Sequence, residues 1–198
     1  MDNSFIFFKD LGRAVVVGLF VLFITTVALS FQSRDKIVIC AENEKFTILG
    51  RFDSSFDVVF YSASTKNLLT CLGRSIPYFE RTIDLVFENS STIKTYLELN
   101  SRYKIVKKTD DKILKIETGK IIVGTDSLVL KNKEKVLILS KSPRSPFFVI
   151  ELLKKNAVEG LIMPETEEIV YKTILKFFDG NNEKIKIIKN GTNYLVNL

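Results

Sequence analysis

YKIVKKTDDKILKIETGKIIVGTDSLVLKNKEKVLILS, residues 103–140, is the stretch that decides the fold. Its apolar residues are mostly β-branched or aliphatic. They gather in short runs at 103–107, 113–117, 120–123, 127–131 and 136–140. Between the runs stand Asp110-Asp111, Thr118-Gly119, Gly124-Thr125-Asp126 and Asn132, the polar breaks expected of hairpins. Runs of this length with β-branched enrichment read as strands, not as turns of helix. The stretch predicts a meander.

Working toward the C-terminus, residues 147–155 read as a helix with Phe147, Phe148, Ile150, Leu152 and Leu153 apolar. Residues 160–163 read as a strand. Residues 167–178 form an amphipathic helix stopped by Asp179-Gly180. Segments 185–188 and 194–196 are predicted to close as a hairpin over Asn190-Gly191, a strong turn signal. Toward the N-terminus, 37–40, 46–49 and 57–61 read as strands, 68–79 as a helix and 83–87 as a buried strand. Residues 92–100 read as a helix capped by Ser91. Strands interleaved with helices in this order predict an α/β layered sandwich with mixed sheets.

Ahead of that domain lies AVVVGLFVLFITTVALSF, residues 14–31, eighteen uncharged positions between Arg13 and Arg34. A helix of that length would span about 27 Å, enough for a hydrocarbon core. The segment is apolar on every face, which disfavours a buried amphipathic helix. It predicts a transmembrane anchor. Ala28-Leu29-Ser30 also fits a signal-peptide cleavage pattern, so a cleaved leader is the competing reading. The expected organisation is a cytoplasmic tail at 1–13, the anchor or leader at 14–31 and a linker at 32–36. An extracytoplasmic domain follows at 37–198, on a single-pass chain in the cell membrane.

The balance of 29 Lys and Arg against 23 Asp and Glu gives a net charge of +6. A basic excess suits nucleic acid or another polyanion, although a lysine-rich surface is often solubility alone. The two cysteines, Cys40 and Cys71, each sit at an apolar run and read first as small buried hydrophobes. One bridge between them is the alternative in an oxidising compartment. Asn89 and Asn190 begin glycosylation triplets, a weak signal.

With these segments in hand, LGRSIPYFERTIDLV at 72–86 resembles part of the metallo-β-lactamase-fold domain of the ComEC competence DNA-uptake family. FDSSFDVVFY at 52–61 is similar to that family's first strand loop, with Asp53 and Asp57 matching. IIVGTD at 121–126 and VLILSKS at 136–142 are similar to its later metal-bearing segments. The resemblance implies a truncated αββα sandwich behind the transmembrane helix. It also implies a pseudoenzyme, because the family's histidine-rich loop is replaced here by Phe87, Glu88, Asn89, Ser90, Ser91 and Thr92. Lys141 and Ser142 stand where the family has a His-His pair, and of the metal ligands Asp126 alone matches.

The chemistry points the same way without the family. The chain contains no histidine, so imidazole-based zinc sites and Ser-His or Cys-His nucleophiles are out of reach. No metal or other cofactor is expected. SKSPRSP at 140–146 has the most unusual local composition, with stiffening prolines, two cations and hydroxyls suited to phosphate. Glu88, Asp126, Lys141, Ser142 and Arg144 are the candidate ligand contacts. The expected function is a non-catalytic binding or scaffold domain, possible partners being nucleic acid, another polyanion or envelope proteins, and DNA uptake one setting. A structural component of an envelope complex and a non-zinc hydrolase are the alternatives.

Overall fold

The computed structural model describes residues 15–22, 35–53, 55–76, 82–87 and 102–198. These divide into two units, Met1–Arg34 and Asp35–Leu198. The described part of the first is a helical stretch over residues 15–22, with its valines, leucines and Phe20 exposed.

The expectation of a membrane anchor is corrected by the helices of the described residues, outside which most of residues 14–31 lie. Among the described residues no helix is long and apolar enough to cross a membrane. The transmembrane helix, and the single-pass placement in the cell membrane built on it, are therefore withdrawn. The fold class is corrected with them: the chain is mixed α/β, mostly two β-sheets, with four helices among the described residues.

In the second unit the strands of the first half are β1 (Lys36–Glu42), β2 (Lys45–Phe52), β3 (Phe56–Tyr61), β4 (Thr82–Phe87) and β5 (Lys104–Thr109). The meander supplies β6 (Ile113–Ile116), β7 (Gly119–Val123), β8 (Ser127–Lys131) and β9 (Lys135–Leu139). Then follow β10 (Gly160–Pro164), β11 (Ile185–Ile188) and β12 (Asn193–Asn197). Helices α1 (Thr65–Ser75), α2 (Pro146–Asn156) and α3 (Glu168–Phe177) link β3 to β4, β9 to β10 and β10 to β11. Each of those three strand pairs is parallel, as a helical crossover requires.

One sheet runs β12-β1-β2-β3-β4-β5 and the other β11-β10-β9-β8-β7-β6. Ile37, Ile39, Ile48, Phe60 and Leu85 of the first meet Ile121, Leu128, Leu130 and Ile138 of the second in one buried cluster. The outer face of the first sheet packs Leu49, Val59 and Ile83 on Leu68, Cys71 and Leu72 of α1. The outer face of the second packs Leu137, Leu161 and Met163 on Val149, Leu153, Val170 and Ile174 of α2 and α3. Strands buried on both faces explain why β3, β8 and β9 read as continuous apolar runs.

Two local readings change. Ser64 caps α1 by accepting from the Asn67 amide at 3.1 Å, so the helix starts three residues before 68 and ends at Ser75. Segments 185–188 and 194–196 form no hairpin. β11 joins β10 in one sheet, whereas β12 pairs antiparallel with β1 in the other. The turn at Gly191, whose φ of 75° suits glycine, carries the chain between sheets. Cys40 on β1 and Cys71 on α1 are joined in a disulfide with Cα atoms 6.1 Å apart. The predicted helix at 92–100 lies outside the described residues.

Candidate functional site

The end of β9 and the start of β2 lie in different sheets, yet their backbones are stitched together. The Phe46 amide donates to the Ser140 carbonyl at 2.6 Å, and the Ser142 amide donates to the Glu44 carbonyl at 2.7 Å. The Ser140 amide donates in turn to the Asp126 carbonyl at 2.9 Å. This brings together three segments remote in sequence: the β1–β2 turn, the turn before β8, and the loop from β9 to α2. A cavity of about 520 Å³ opens where they meet.

Each wall has a local cause. Asn43 and Glu44 both adopt positive φ, 44° and 62°, forming a tight two-residue connection between β1 and β2. The Asn43 amide is held by Oδ1 of Asn190, 3.1 Å away. The turn that presents Asp126 is fixed by Tyr61 of β3. The phenol shares its proton between the carbonyls of Gly124 and Ser127, at 2.5 and 2.7 Å. Burial pushes the Tyr61 hydroxyl well above the ordinary phenol range, and the Asp126 charge adds to the effect.

The loop 140–146 is pinned from its other side. The Ser142 hydroxyl donates to the Glu165 carbonyl at 2.5 Å, and the Thr166 hydroxyl donates to the Pro143 carbonyl at 3.1 Å. Helix α2 then begins with Pro146 at its first position, Ser145 making no side-chain cap and no acid in the first turn. The leading amides of a helix lack intrahelical partners and carry partial positive charge. Here they stand beside Arg144 with nothing acidic in the turn to offset them.

Of the residues singled out from sequence, Asp126, Lys141, Ser142 and Arg144 all line this cavity. Glu88 lies outside the described residues. Lys141 Nζ contacts Asp126 Oδ2 at 2.6 Å, so the two positions that the family resemblance aligned with metal ligands are an ion pair. Asp57 is elsewhere, buried on β3 with Arg51 Nη1 3.9 Å from its carboxylate. The sequence reading missed Lys45, Glu44, Asn43 and Phe148, which line the cavity with Leu139, Pro143 and Ser145. Lys45 is separated from Lys141 by most of the domain, and no local signal marks it. Phe148 was visible only as one more apolar helix position.

The ionisable lining comprises Lys45, Lys141 and Arg144 against Glu44 and Asp126. With Lys141 and Asp126 satisfying each other, Lys45, Arg144 and the start of α2 supply the remaining positive field. Among the described residues no group of three or more His, Cys, Asp or Glu is placed to hold a metal ion. Ser142 is a poor nucleophile candidate, since its hydroxyl proton is committed to a backbone carbonyl.

No protein-family model, curated protein or solved structure matches this chain. The likeness to the ComEC family rests on the quoted residues alone.

Proposed function

We propose that the Asp35–Leu198 unit is a non-catalytic binding domain for a phosphate-bearing polymer, nucleic acid foremost. The observation that carries this is the convergence of Lys45, Lys141, Arg144 and the uncapped start of α2 on one cavity. Phosphate is the ligand chemistry that uses both point cations and helix-terminal amides. Charge distribution supports the same reading. Residues 102–135, the strands leading into this site, carry ten Lys and Arg against five Asp and Glu. A basic excess concentrated in one stretch of the sequence favours a polyanionic partner. Non-catalytic action is favoured by the missing imidazole, the paired Asp126 and the engaged Ser142 hydroxyl.

The test is binding of the full chain to a fluorescent 30-mer oligonucleotide by anisotropy across a salt series. Affinity should fall steeply with salt, as counterion release demands. Arg144→Ala and Lys45→Ala should each weaken binding and lower the magnitude of the log–log slope by about one. Absent or salt-insensitive binding overturns the reading.

A further inference from the structure

Helix α2 exposes two large aromatic side chains at its very start. Phe147 is 76% exposed and Phe148 is 53% exposed, although the same helix buries Val149 and Leu153 completely. Neither phenylalanine belongs to the clusters that hold α2 on its sheet. An isolated exposed apolar residue needs no explanation, but two adjacent phenylalanines leave a large apolar area in water. Ile169, 74% exposed, leaves the first turn of α3. The loops leading into α2 and α3 are hydrogen-bonded to each other through Ser142 and Thr166. Both helices therefore begin at the same end of the unit, and Phe148 itself lines the cavity beside Arg144.

Resting on the polyanion reading above, we infer that Phe147 and Phe148 are a stacking platform for unpaired nucleobases. The occupant is then single-stranded nucleic acid, its phosphates directed to Arg144 and Lys45. Flat rings on aromatic faces beside backbone-tracking cations are the general means of holding single strands without reading sequence. In a duplex the base faces are occupied by their own neighbours and offer the phenylalanines nothing. An aromatic platform of this kind discriminates single from double strands, which the cations alone cannot do.

The experiment compares three probes of equal length on the full chain: a thymidine 30-mer, an abasic 30-mer of the same charge, and a 30-bp duplex. The thymidine strand should bind at least about fivefold tighter than the abasic strand, the lower end of one base–aromatic stack. Phe147→Ala/Phe148→Ala should erase that difference, so that the two strands bind the variant equally. The chain contains no tryptophan, so Phe148→Trp adds a single reporter at an exposed position. Its emission should be quenched by the thymidine strand and unaffected by the abasic one. Equal binding of both strands with no differential quenching overturns the platform and leaves the polyanion reading standing. Binding of none of the three probes overturns both.

Discussion

Removing the Cys40–Cys71 bridge tests how the first sheet holds its helix. The bridge ties β1 to α1 across a sequence separation of 31, and both residues are nearly inaccessible, at 4% and 1% exposure. Closing a loop of that length in the unfolded chain corresponds to about 3.7 kcal/mol at 25 °C on the chain-entropy account. For a unit of this size that is a melting shift of about 7–15 °C. It is also a large fraction of a typical total stability of about 5–15 kcal/mol. Because the sulfurs are buried, reductant reaches them only through unfolding. The reduced protein should therefore be prepared in denaturant and refolded. Urea titrations followed by far-UV circular dichroism then compare oxidised protein, reduced protein and Cys40→Ala/Cys71→Ala. Both bridge-free forms should show a lower midpoint. The m-value should rise slightly, since an uncrosslinked denatured chain exposes more surface. A stability difference under about 1 kcal/mol, with unchanged m, would refute the loop-closure argument and make the bridge incidental to stability.

Other perturbations probe the site and its supports. Tyr61→Phe removes the phenol's donation to the Gly124 and Ser127 carbonyls, of which Ser127 keeps the Gly124 amide, and should cost about 1–3 kcal/mol in urea denaturation. The same variant carries a pH signature. The folded phenol is raised above its ordinary value of 10.0, so the native state holds its proton longer than the unfolded chain. Wild-type stability should thus fall as pH rises above 10.0, and Tyr61→Phe should lack that component; parallel pH profiles would contradict the burial of the phenol. Phe60→Ala removes a fully buried ring stacked 5.3 Å from Phe87 and should cost about 3–5 kcal/mol by thermal unfolding. Asp126→Asn should change stability by less than about 1 kcal/mol, because the Lys141 partner is 55% exposed and solvent screens the pair. That variant should also tighten oligonucleotide binding by freeing Lys141, an opposite sign to Arg144→Ala in the same anisotropy assay.

The meander was legible from β6 to β9 because each of those strands carries its own short-range pattern. The first run of the stretch, β5, instead pairs parallel with β4 in the other sheet and forms no hairpin over Asp110-Asp111. β8 starts and stops at the residues its apolar run marks, 127 and 131. Pairing between distant strands leaves no such trace. Asn190-Gly191 announced a reversal, yet the partner of each flanking segment was set by which sheet edge stood open. The disulfide was open as an alternative only, since two buried sulfurs 31 positions apart read first as two small hydrophobes until β1 and α1 are placed. At the site, Lys141, Ser142 and Arg144 were found because they share one odd loop. Lys45 arrives from the other sheet by a backbone bridge to Lys141 that only the assembled fold reveals. The apolar run 14–31 misled for a different reason: it reports an absence of charge, and no described helix is long and apolar enough to cross a membrane.

The strand exchange at the end of the chain also sets a schedule. β1 leaves the ribosome about 155 residues ahead of β12, yet one of its edges is filled by β12, where Lys36 pairs with Asn197. At translation rates of about 5–20 residues per second, that edge stays open for about 8–30 seconds. Throughout that interval it offers unpaired amides and carbonyls to any passing strand. A nascent chain stalled in the second sheet would thus present the apolar β1 strand with that edge unguarded. Synthesis rate, as much as composition, should govern how much of this protein accumulates in soluble form.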